Sequence, residues 1–308
     1  MIKYSFVLPA YKARFFREAI DSILAQTYTD FELIIVNDAS PEDLDAIVRS
    51  YDDPRIRYYV NEQNIGGRDL VVQWNHCLEY ANGEYIILAS DDDVYFPQYL
   101  EEMDALVEKY PEVNVFRSRV QRIDADGNVI DIESYLPEYS TMLEFSYAWM
   151  RGYVKRGIPF FVFKRTELQS IGGFVNFPLA WYSDDATVLT LADKGIVASS
   201  KILFSFRQSG ENISSKSNDS STLKRKLDAT DMFYKWYERY LMEIKTINIY
   251  ESFYKSKIVA SLRERWKTES VIWVCESHPT AILKNSRRLL VGKIVSLRFL
   301  VLTILRKL

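Results

Sequence analysis

Residues 85–93 read YIILASDDD, an unbroken apolar run that passes directly into three consecutive aspartates. An apolar run of this length is typical of a strand that is buried on both faces of a sheet. The turn signal Asn82-Gly83 precedes it and closes a segment with helical spacing, residues 70–81. Because ligands bind beyond the carboxyl ends of parallel strands, the acidic triplet is predicted to lie at a binding edge.

The residues upstream of this stretch alternate between strand and helix patterns. The expected strands are 4–9, 31–36, 55–60 and 84–88, and the expected helices include 16–26 and 70–81. A further helix is predicted to start at Ser40-Pro41, with Ser40 as N-cap and Pro41 at the first helical position. This alternation predicts an α/β fold with a mostly parallel central sheet, Rossmann-like and flanked by helices on both faces.

Composition excludes several classes of protein. A hydrophobic content of 48% across 308 residues excludes wholesale disorder, and a net charge of −3 argues against nucleic acid as the partner. Two cysteines and two histidines form no CxxC or HExxH motif, so neither zinc nor a disulfide framework is expected. The apolar part of the N-terminus is too short for a signal peptide, and no apolar stretch reaches the roughly 18 residues of a spanning helix. These features predict a cytoplasmic protein.

The chain is expected to divide near residue 210. Beyond residue 110 the strand pattern becomes less regular and aromatic segments appear, and from about residue 217 the pattern is helical and rich in Lys and Arg. The expected divisions are a first domain over 1–210 with two halves (1–109 and 110–210), a polar linker around 209–221, and a helical C-terminal extension over 217–308.

The triplet Asp91-Asp92-Asp93 is the strongest chemical signal in the sequence. Three adjacent carboxylates repel one another, and a hard divalent cation such as Mg²⁺ or Mn²⁺ offsets that repulsion and prefers oxygen ligands. The alternative is a solvated acidic turn that caps a helix starting near Pro97.

Two further carboxylates have a functional and a structural interpretation each. Asp38 follows the second strand, where it could bind a nucleobase or ribose or simply cap the following turn. Asp184 lies near a helix start, after Trp181-Tyr182, where it could be a general base in an aromatic-walled pocket or only a helix cap. The residues alone leave both alternatives open.

Taken together, the motifs over residues 4–210 resemble the family-2 glycosyltransferases with the GT-A fold. The resembling segments are Val7–Tyr11, Ala19–Tyr28, Glu32–Ser40, Asn64–Gly67, Ala81–Ile86, the acidic triplet with Pro97, and Gly172-Gly173-Phe174 ahead of Ser183-Asp184-Asp185. Their order and spacing are specific as a set, although no single segment is.

The resemblance implies a role for each matching residue. It implies nucleobase and ribose contacts from Pro9, Ala10, Tyr11 and Asp38, and a nucleotide-side loop with Asn64, Gly66 and Arg68. It implies that Asp91 and Asp92 bind the nucleotide and that Asp93, with Asp91, holds Mn²⁺ or Mg²⁺. It implies Asp184 as the general base, with Asp185 as its substitute, and a donor half over 1–109 and an acceptor half over 110–210. From their residue type, Trp181 and Tyr182 suit contact with a glycan acceptor by stacking, although core packing is the more common use of such side chains.

The chain departs from the family pattern at three places. Ala89 replaces the usual aspartate before Ser90, so counting back from Pro97 makes Asp93 the metal ligand and counting forward from Leu88 makes it Asp92; we favour Asp93. Ser183 replaces the first acid of the Glu-Asp pair. Arg207 stands near the place where many relatives carry a histidine.

The leading hypothesis is an inverting, metal-dependent transfer of a single sugar from a nucleoside diphosphate sugar, with a UDP-sugar favoured, to a hydroxyl of a glycan or lipid-linked acceptor. One alternative is a nucleotidyltransferase, although the loop after the first strand contains no glycine. Another is a degenerate relative that only binds nucleotide or glycan.

The C-terminal residues predict a peripheral membrane contact. Residues 281–308 contain seven basic side chains and no acidic one, with Leu and Ile over much of the remainder. This pattern suits an interfacial helix on the anionic inner face of the cytoplasmic membrane. A helix packed on the protein is the alternative.

Overall fold

The computed structural model describes residues 2–210 and 219–307. Most of the predicted polar linker, residues 211–218, therefore lies outside the described residues. The chain divides into two compact units. The first comprises Met1–Asn176 and Ser183–Ser209, and the second comprises Phe177–Tyr182 and Gly210–Leu308.

A single mixed sheet forms the centre of the first unit. Its strands, in chain order, are β1 Tyr4–Ala10, β2 Phe31–Asn37, β3 Ile56–Val60, β4 Tyr85–Leu88, β5 Val94–Tyr95, β6 Val115–Ile123, β7 Val129–Ile132, β8 Tyr139–Ser140, β9 Phe161–Lys164 and β10 Ile196–Arg207. The spatial order is β3-β2-β1-β4-β9-β6-β10-β5, with β7 paired to β6 and β8 to β10. Strands β1 to β4 are mutually parallel, β6 and β10 run in the same direction, and β9 and β5 are antiparallel to their neighbours.

The helices of the first unit separate these strands along the chain. They are α1 Phe16–Leu24, α2 Leu44–Val48, α3 Leu70–Leu78, α4 Tyr99–Lys109, α5 Met142–Met150, α6 Arg165–Ser170 and α7 Ser183–Leu191, with short 3-10 turns at Ile158–Phe160 and Ala192–Lys194. Every residue of β2 is buried, as is almost all of β1, because helices cover both faces of a parallel sheet. The predicted α/β fold with a mostly parallel sheet is confirmed.

The predicted start of α2 at Ser40 is wrong. The helix begins at Leu44, and the side chain of Asp43 caps it by accepting a hydrogen bond from the amide of Ala46 at 3.0 Å. The Ser40 hydroxyl donates to the carbonyl of Tyr11 at 2.6 Å and accepts from the amide of Glu42 at 3.1 Å. Ser40 therefore closes a turn ahead of the helix, and the helix itself starts one turn later.

The topology brings four strand ends to one edge. Because β3, β2, β1 and β4 are parallel neighbours, their carboxyl ends lie side by side. The segments that follow them are Asn61–Gly67 after β3, Asp38-Ala39-Ser40 after β2, Tyr11-Lys12 after β1 and the acidic triplet after β4. Residues far apart in sequence thus become neighbours at this edge.

The second unit is helical. Its helices are α8 Ser220–Glu243, α9 Ile249–Glu276, α10 Pro279–Val291 and α11 Leu297–Leu305, and a 3-10 turn lies at Pro178–Ala180. Helices α8 and α9 form an antiparallel pair, in which the indole nitrogens of Trp266 and Trp273 donate to Asp231 and Thr230 of α8. None of the helices within the described ranges combines the length and apolarity needed to cross a bilayer.

The stretch 281–308 does not form the single helix that was expected, and the membrane contact predicted for it stays a prediction. The chain forms two helices, α10 and α11, separated at Gly292–Ser296. On α10, Ala281, Ile282 and Leu289 are fully buried in one apolar cluster with α8 and α9 residues. Arg288, one of the seven basic residues of this stretch, pairs with Asp228 and Asp231 of α8 at 2.6 and 2.7 Å. Helix α10 is therefore a packed helix.

Candidate active site

Asp91 fastens the end of β4 to the loop after β1. Its Oδ2 accepts hydrogen bonds from the backbone amides of Tyr11 and Lys12 at 2.9 and 2.8 Å. These two amides lie between the end of β1 and the start of α1, so neither has a backbone hydrogen-bond partner in the sheet. The predicted nucleotide loop Pro9-Ala10-Tyr11 is thus held in place by the acidic triplet, and the Tyr11 side chain remains exposed.

Asp38 fastens the end of β2 to the loop after β3. Its Oδ1 accepts from the amide of Ile65 and the side-chain amide of Asn61, both at 2.8 Å, and its Oδ2 accepts from the amide of Gly66 at 2.7 Å. The carboxylate is almost completely buried. Ala39 follows in the left-handed region at φ +50°, and this turn directs Ser40 back toward Tyr11. Asp38 therefore positions this loop whatever else it binds.

The glycines of the loop after β3 are required by these contacts. A Cβ on Gly66 would stand 2.9 Å from Asp38 Oδ2, and a Cβ on Gly67 would stand 2.3 Å from Asn64 Oδ1. Asn64 accepts a hydrogen bond from the Gly67 amide, so it closes the turn. Arg68 is exposed at the end of the loop. The structure thus brings Asn64, Gly66 and Asp38 together and leaves the Arg68 side chain at the surface.

The three carboxylates of the triplet differ in burial. Asp91 is partly exposed, Asp92 is 7% exposed and Asp93 is 1% exposed. Burial raises the pKa of Asp91, an effect that the amides of Lys12 and Tyr11 oppose. Burial and the neighbouring Asp91 raise the pKa of Asp92 to about 6. Burial and the neighbouring Asp92 raise the pKa of Asp93 well above its usual range. The fold thus holds clustered negative charge out of water.

Strand β5 explains why Asp93 is the most buried of the three. Val94 and Tyr95 pair antiparallel with Ser205 and Phe204 of β10, directly after the triplet. Asp93 Oδ1 consequently accepts a hydrogen bond from the Arg207 amide at 2.9 Å, and the Arg207 side chain donates to the Asp92 carbonyl at 2.8 Å. A buried guanidinium therefore lies beside the acidic cluster and offsets part of its charge.

The second oxygen of Asp93 suits a divalent cation. Within the residues that the structure describes, Asp93 Oδ2 is buried without a well-formed hydrogen bond, and the Ser90 side chain lies beside the carboxyl group and opposes the rise of its pKa. A bound cation would supply a further partner and a counter-charge. Across the same residues, no three His, Cys, Asp or Glu side chains converge as a metal cluster. One or two carboxylates are what Mg²⁺ uses when substrate phosphates and water complete its shell. The donor set fits that mode of binding.

Asp184 and Asp185 lie in the first turn of α7, beside a narrow recess. Apolar and aromatic side chains of α5, the loop after it, β9 and α7 line it together with Arg156: Phe145, Trp149, Val154, Phe161, Val188 and Leu189. The Arg156 guanidinium pairs with Asp185 at 3.1 Å and lies 5.3 Å from the centre of the Trp149 ring. Burial raises the pKa of Asp184, and Arg156 opposes that effect.

Strand register relates this recess to the edge that carries the triplet. In the antiparallel pair of β4 and β9, Ile87 stands opposite Val162, so Leu88 falls opposite Phe161. Phe161 lines the recess, and Leu88 is three residues before Asp91. The recess therefore opens at the same carboxyl edge of the sheet as the triplet.

Trp181 and Tyr182 pack within the helical unit. The Tyr182 ring is buried and stacks on Phe233 at 4.6 Å, and its hydroxyl donates to Glu269 at 2.5 Å. Trp181 contacts the Trp273 ring edge-on at 5.0 Å. The acceptor contact predicted for these two side chains stays a prediction, and their packed positions give it no support.

Sequence reasoning missed several residues of the site. Asn75 of α3 bonds both the amide and the carbonyl of Phe174, and a Cβ on Gly173, at φ +92°, would stand 2.4 Å from its Oδ1. Trp149 and Arg156 line the recess of Asp184. The adjacent glycines Gly172 and Gly173 indicate a place where another side chain approaches the backbone closely, and that side chain is Asn75. No local sequence pattern indicates Arg156, which contacts Asp185 only in the folded chain.

Comparison with known proteins places the chain among glycosyltransferases. An uncharacterized glycosyltransferase of Rickettsia typhi is 38% identical over 112 residues, which is 36% of this chain and 34% of the relative. The matched segments cover less than half the length of the curated relatives found.

Solved structures share the fold. Staphylococcus aureus TarS 1–349 in complex with UDP-GlcNAc superposes with a TM-score of 0.63 at 15% identity, covering 91% of this chain and 83% of that one. The mannosyltransferase PcManGT of Pyrobaculum calidifontis, in complex with GDP-Man and Mn²⁺, gives a TM-score of 0.54 at 14% identity, covering 92% and 75%. At these identities the likeness extends to the GT-A fold alone.

The family match covers more of the chain than these pairwise matches. The profile described as Glycosyl transferase family 2 matches residues 5–168, more than half of the sequence. That span includes β1 to β4, the acidic triplet and most of the recess beside α7. The chain therefore belongs to glycosyl transferase family 2.

Proposed function

We propose that the chain transfers a single sugar from a nucleoside diphosphate sugar, with a UDP-sugar as the first candidate, to a hydroxyl group with inversion at the anomeric carbon. The observation that carries the proposal is the carboxyl edge of β1 to β4, where four loops are joined in two pairs. Asp91, after β4, accepts from amides of the loop after β1, and Asp38, after β2, accepts from amides of the loop after β3. The family membership supports the same reaction. TarS complexes with UDP-GlcNAc and UDP support a uridine donor.

The donor would bind across this edge. Asp38 and the loop at Asn64 and Gly66 are suited to binding the nucleoside. The Asp38 carboxylate already holds this loop in place through the amides of Ile65 and Gly66. The segment Pro9-Ala10-Tyr11 would face the base, and Arg68, exposed at the loop end, would approach the phosphates. Asp91 and Asp92 would contact the ribose and diphosphate side of the donor.

A divalent cation, Mn²⁺ or Mg²⁺, would be held by Asp93 with Asp91, and Asp92 is the alternative ligand. The buried Asp93 Oδ2 supports the first assignment, whereas the greater exposure of Asp92 supports the second. When bound, such a cation stabilises the negative charge that grows on a diphosphate leaving group. The Mn²⁺ complex of PcManGT supports including a metal.

Asp184 would act as the general base from the recess at α7. The acceptor oxygen forms a bond to the anomeric carbon while the bond from that carbon to the diphosphate oxygen breaks, and the acceptor proton passes to Asp184. The acceptor would be a glycan or lipid-linked molecule whose hydroxyl reaches Asp184 from the mouth of the recess. Asp185 is held by Arg156, which supports Asp184 as the residue that takes the proton.

Hydrolysis of donor sugars in the absence of acceptor tests the reaction class. The full chain is incubated with UDP-sugars and GDP-sugars, with Mn²⁺, with Mg²⁺ or with a chelator, and release of nucleoside diphosphate is measured. We expect release from one donor class that stops when the metal is chelated. Binding without release would indicate a non-catalytic nucleotide-binding protein, and release of inorganic pyrophosphate from a nucleoside triphosphate and a sugar phosphate would indicate a nucleotidyltransferase.

Single substitutions in the triplet test the metal assignment. Asp93→Asn is expected to abolish the metal dependence of nucleotide binding, and Asp92→Asn to weaken nucleotide binding while the response to metal persists. The matched control is Asp52→Asn, an exposed aspartate after α2. If Asp92→Asn abolishes the metal response and Asp93→Asn preserves it, the principal ligand is Asp92.

A further inference from the structure

Helix α11 presents an exposed face that combines apolar and basic side chains. At 100° per residue, the side chains of Leu297, Val301, Leu305, Leu302, Arg298 and Arg306 fall within one half of the helix circumference. The four aliphatic members are 62%, 45%, 62% and 44% exposed in that order, and both arginines are exposed. The opposite half carries Leu300, which is buried in the apolar cluster of the helical unit. Helix α11 is therefore packed against the helical unit on one side and exposed to solvent on the other.

Charge on this part of the chain has one sign. Residues 281–308 contain no aspartate or glutamate, and the basic side chains Lys284, Arg287 and Lys293 are exposed together with those of α11. Val291, at the end of α10, adds a further exposed apolar side chain. Arg288 is the member of the basic set whose charge is matched by acids of α8.

A second exposed apolar patch of the helical unit differs in its charge. It lies at the turn between α8 and α9 and includes Ile247, Ile249 and Tyr250. Acidic Glu243 and Glu251 flank it, and Glu251 accepts a hydrogen bond from the Ile247 amide. The exposed Lys245 and Lys257 lie near the same turn, so this patch carries both signs of charge, whereas the face of α11 carries only cations.

We propose that the outer face of α11 docks on an anionic lipid bilayer. Its aliphatic side chains would enter the boundary between headgroups and acyl chains while Arg298 and Arg306 pair with lipid phosphates, which is how short amphipathic helices bind in the plane of a membrane. This contact is independent of the sugar donor. It would bring the chain to a surface where a lipid-linked acceptor is concentrated.

Co-sedimentation with vesicles tests the proposal on the full chain. Vesicles of phosphatidylcholine with phosphatidylglycerol are compared with vesicles of phosphatidylcholine alone, each at low and at high salt. We expect binding to the anionic vesicles at low salt and its loss at high salt, since basic residues near a membrane surface act through a screened potential. Equal binding to both vesicle types, or no binding to either, would overturn the proposal.

Paired variants locate the contact. Arg298→Gln with Arg306→Gln is expected to lower the partition coefficient roughly thirty-fold, at about fivefold per basic residue. Leu297→Gln with Leu305→Gln is expected to lower it roughly tenfold or more, because the lost apolar side chains no longer enter the bilayer. The matched controls at the turn between α8 and α9 are Lys245→Gln with Lys257→Gln, and Ile247→Gln with Ile249→Gln. An equal loss in the controls would overturn the assignment to α11.

A second copy of the chain is the competing occupant of this face. Sedimentation velocity without lipid measures it directly. A monomer whose vesicle binding depends on α11 supports the proposal. A dimer that Leu297→Gln with Leu305→Gln converts to a monomer would show that the face is a self-association surface, and would overturn it.

Discussion

At the scale of single residues, Asp184 is the side chain on which the proposed chemistry depends most. Asp184→Asn keeps the shape of the recess and removes the base, so turnover is expected to fall by roughly 10²–10⁴-fold. Donor binding, followed by thermal shift, is expected to stay near that of the unchanged protein. Asp185→Asn is expected to be milder because that carboxylate is paired with Arg156. The reverse order of effects would assign the base to Asp185.

The acidity of Asp184 predicts a pH profile. Burial raises its pKa and Arg156 opposes the rise. Because the base must be ionised, kcat/KM is expected to fall as the pH drops through this raised pKa, at a higher pH than an exposed aspartate would give. Arg156→Gln removes the opposing cation, so the acid limb should move to higher pH. The matched control is Arg151→Gln, an exposed arginine at the end of α5. An unshifted acid limb in Arg156→Gln would contradict this electrostatic coupling.

Asp38 is predicted to have a measurable structural role in addition to any contact with nucleotide. Its two oxygens accept three hydrogen bonds from Asn61, Ile65 and Gly66. In Asp38→Asn an amide nitrogen would face at least one of these donors, and we expect the free energy of unfolding to fall by about 1–3 kcal/mol in urea. Asp52→Asn should change it by less than about 0.5 kcal/mol. Unchanged stability with lost nucleotide binding would mean that the carboxylate serves the ligand alone.

At the scale of elements, α10 and α11 illustrate two uses of similar sequences. Both carry basic and aliphatic residues, yet α10 packs into the apolar cluster and α11 keeps one face open. Leu289→Ala, at a fully buried position of α10, is expected to cost about 2–5 kcal/mol of stability. Leu283→Ala, at an exposed position of the same helix, should cost less than about 0.5 kcal/mol. Equal costs, measured by urea denaturation, would contradict the packing of α10.

At the scale of the whole molecule, donor binding is expected to stabilise the folded chain. A ligand at one hundred times its dissociation constant raises the free energy of unfolding by about 2.7 kcal/mol. UDP with Mn²⁺ should therefore raise the melting temperature, and UDP with a chelator should raise it much less. Mn²⁺ alone is the control, because a cation that lacks the diphosphate loses part of its ligand shell. An equal rise with and without metal would contradict metal-dependent donor binding.

The sequence alone was sufficient for the fold class and for the edge where the candidate site lies. Apolar runs such as 31–36 and 85–88 indicate buried parallel strands because only such strands are apolar on both faces. Strand ends followed by Asp38 and by Asp91 then fall at one edge, since parallel neighbours end together. These conclusions follow from local periodicity and chain direction, which a sequence contains.

Tertiary structure alone decided what each side chain contacts. Ser40 carries a capping signal, yet its hydroxyl joins the loop after β1 to a turn at Glu42, and α2 begins at Leu44 with Asp43 as its cap. Asp93 is buried because β5 pairs with β10, whose partner residues lie more than a hundred positions away. Trp181 and Tyr182 adjoin Asp184 in sequence but pack on α8 and α9. Residues that are neighbours in sequence therefore contact different parts of the fold, and residues far apart in sequence contact each other. Each polar group has several possible partners, and long-range packing decides which one it takes. Local propensity does not encode that packing.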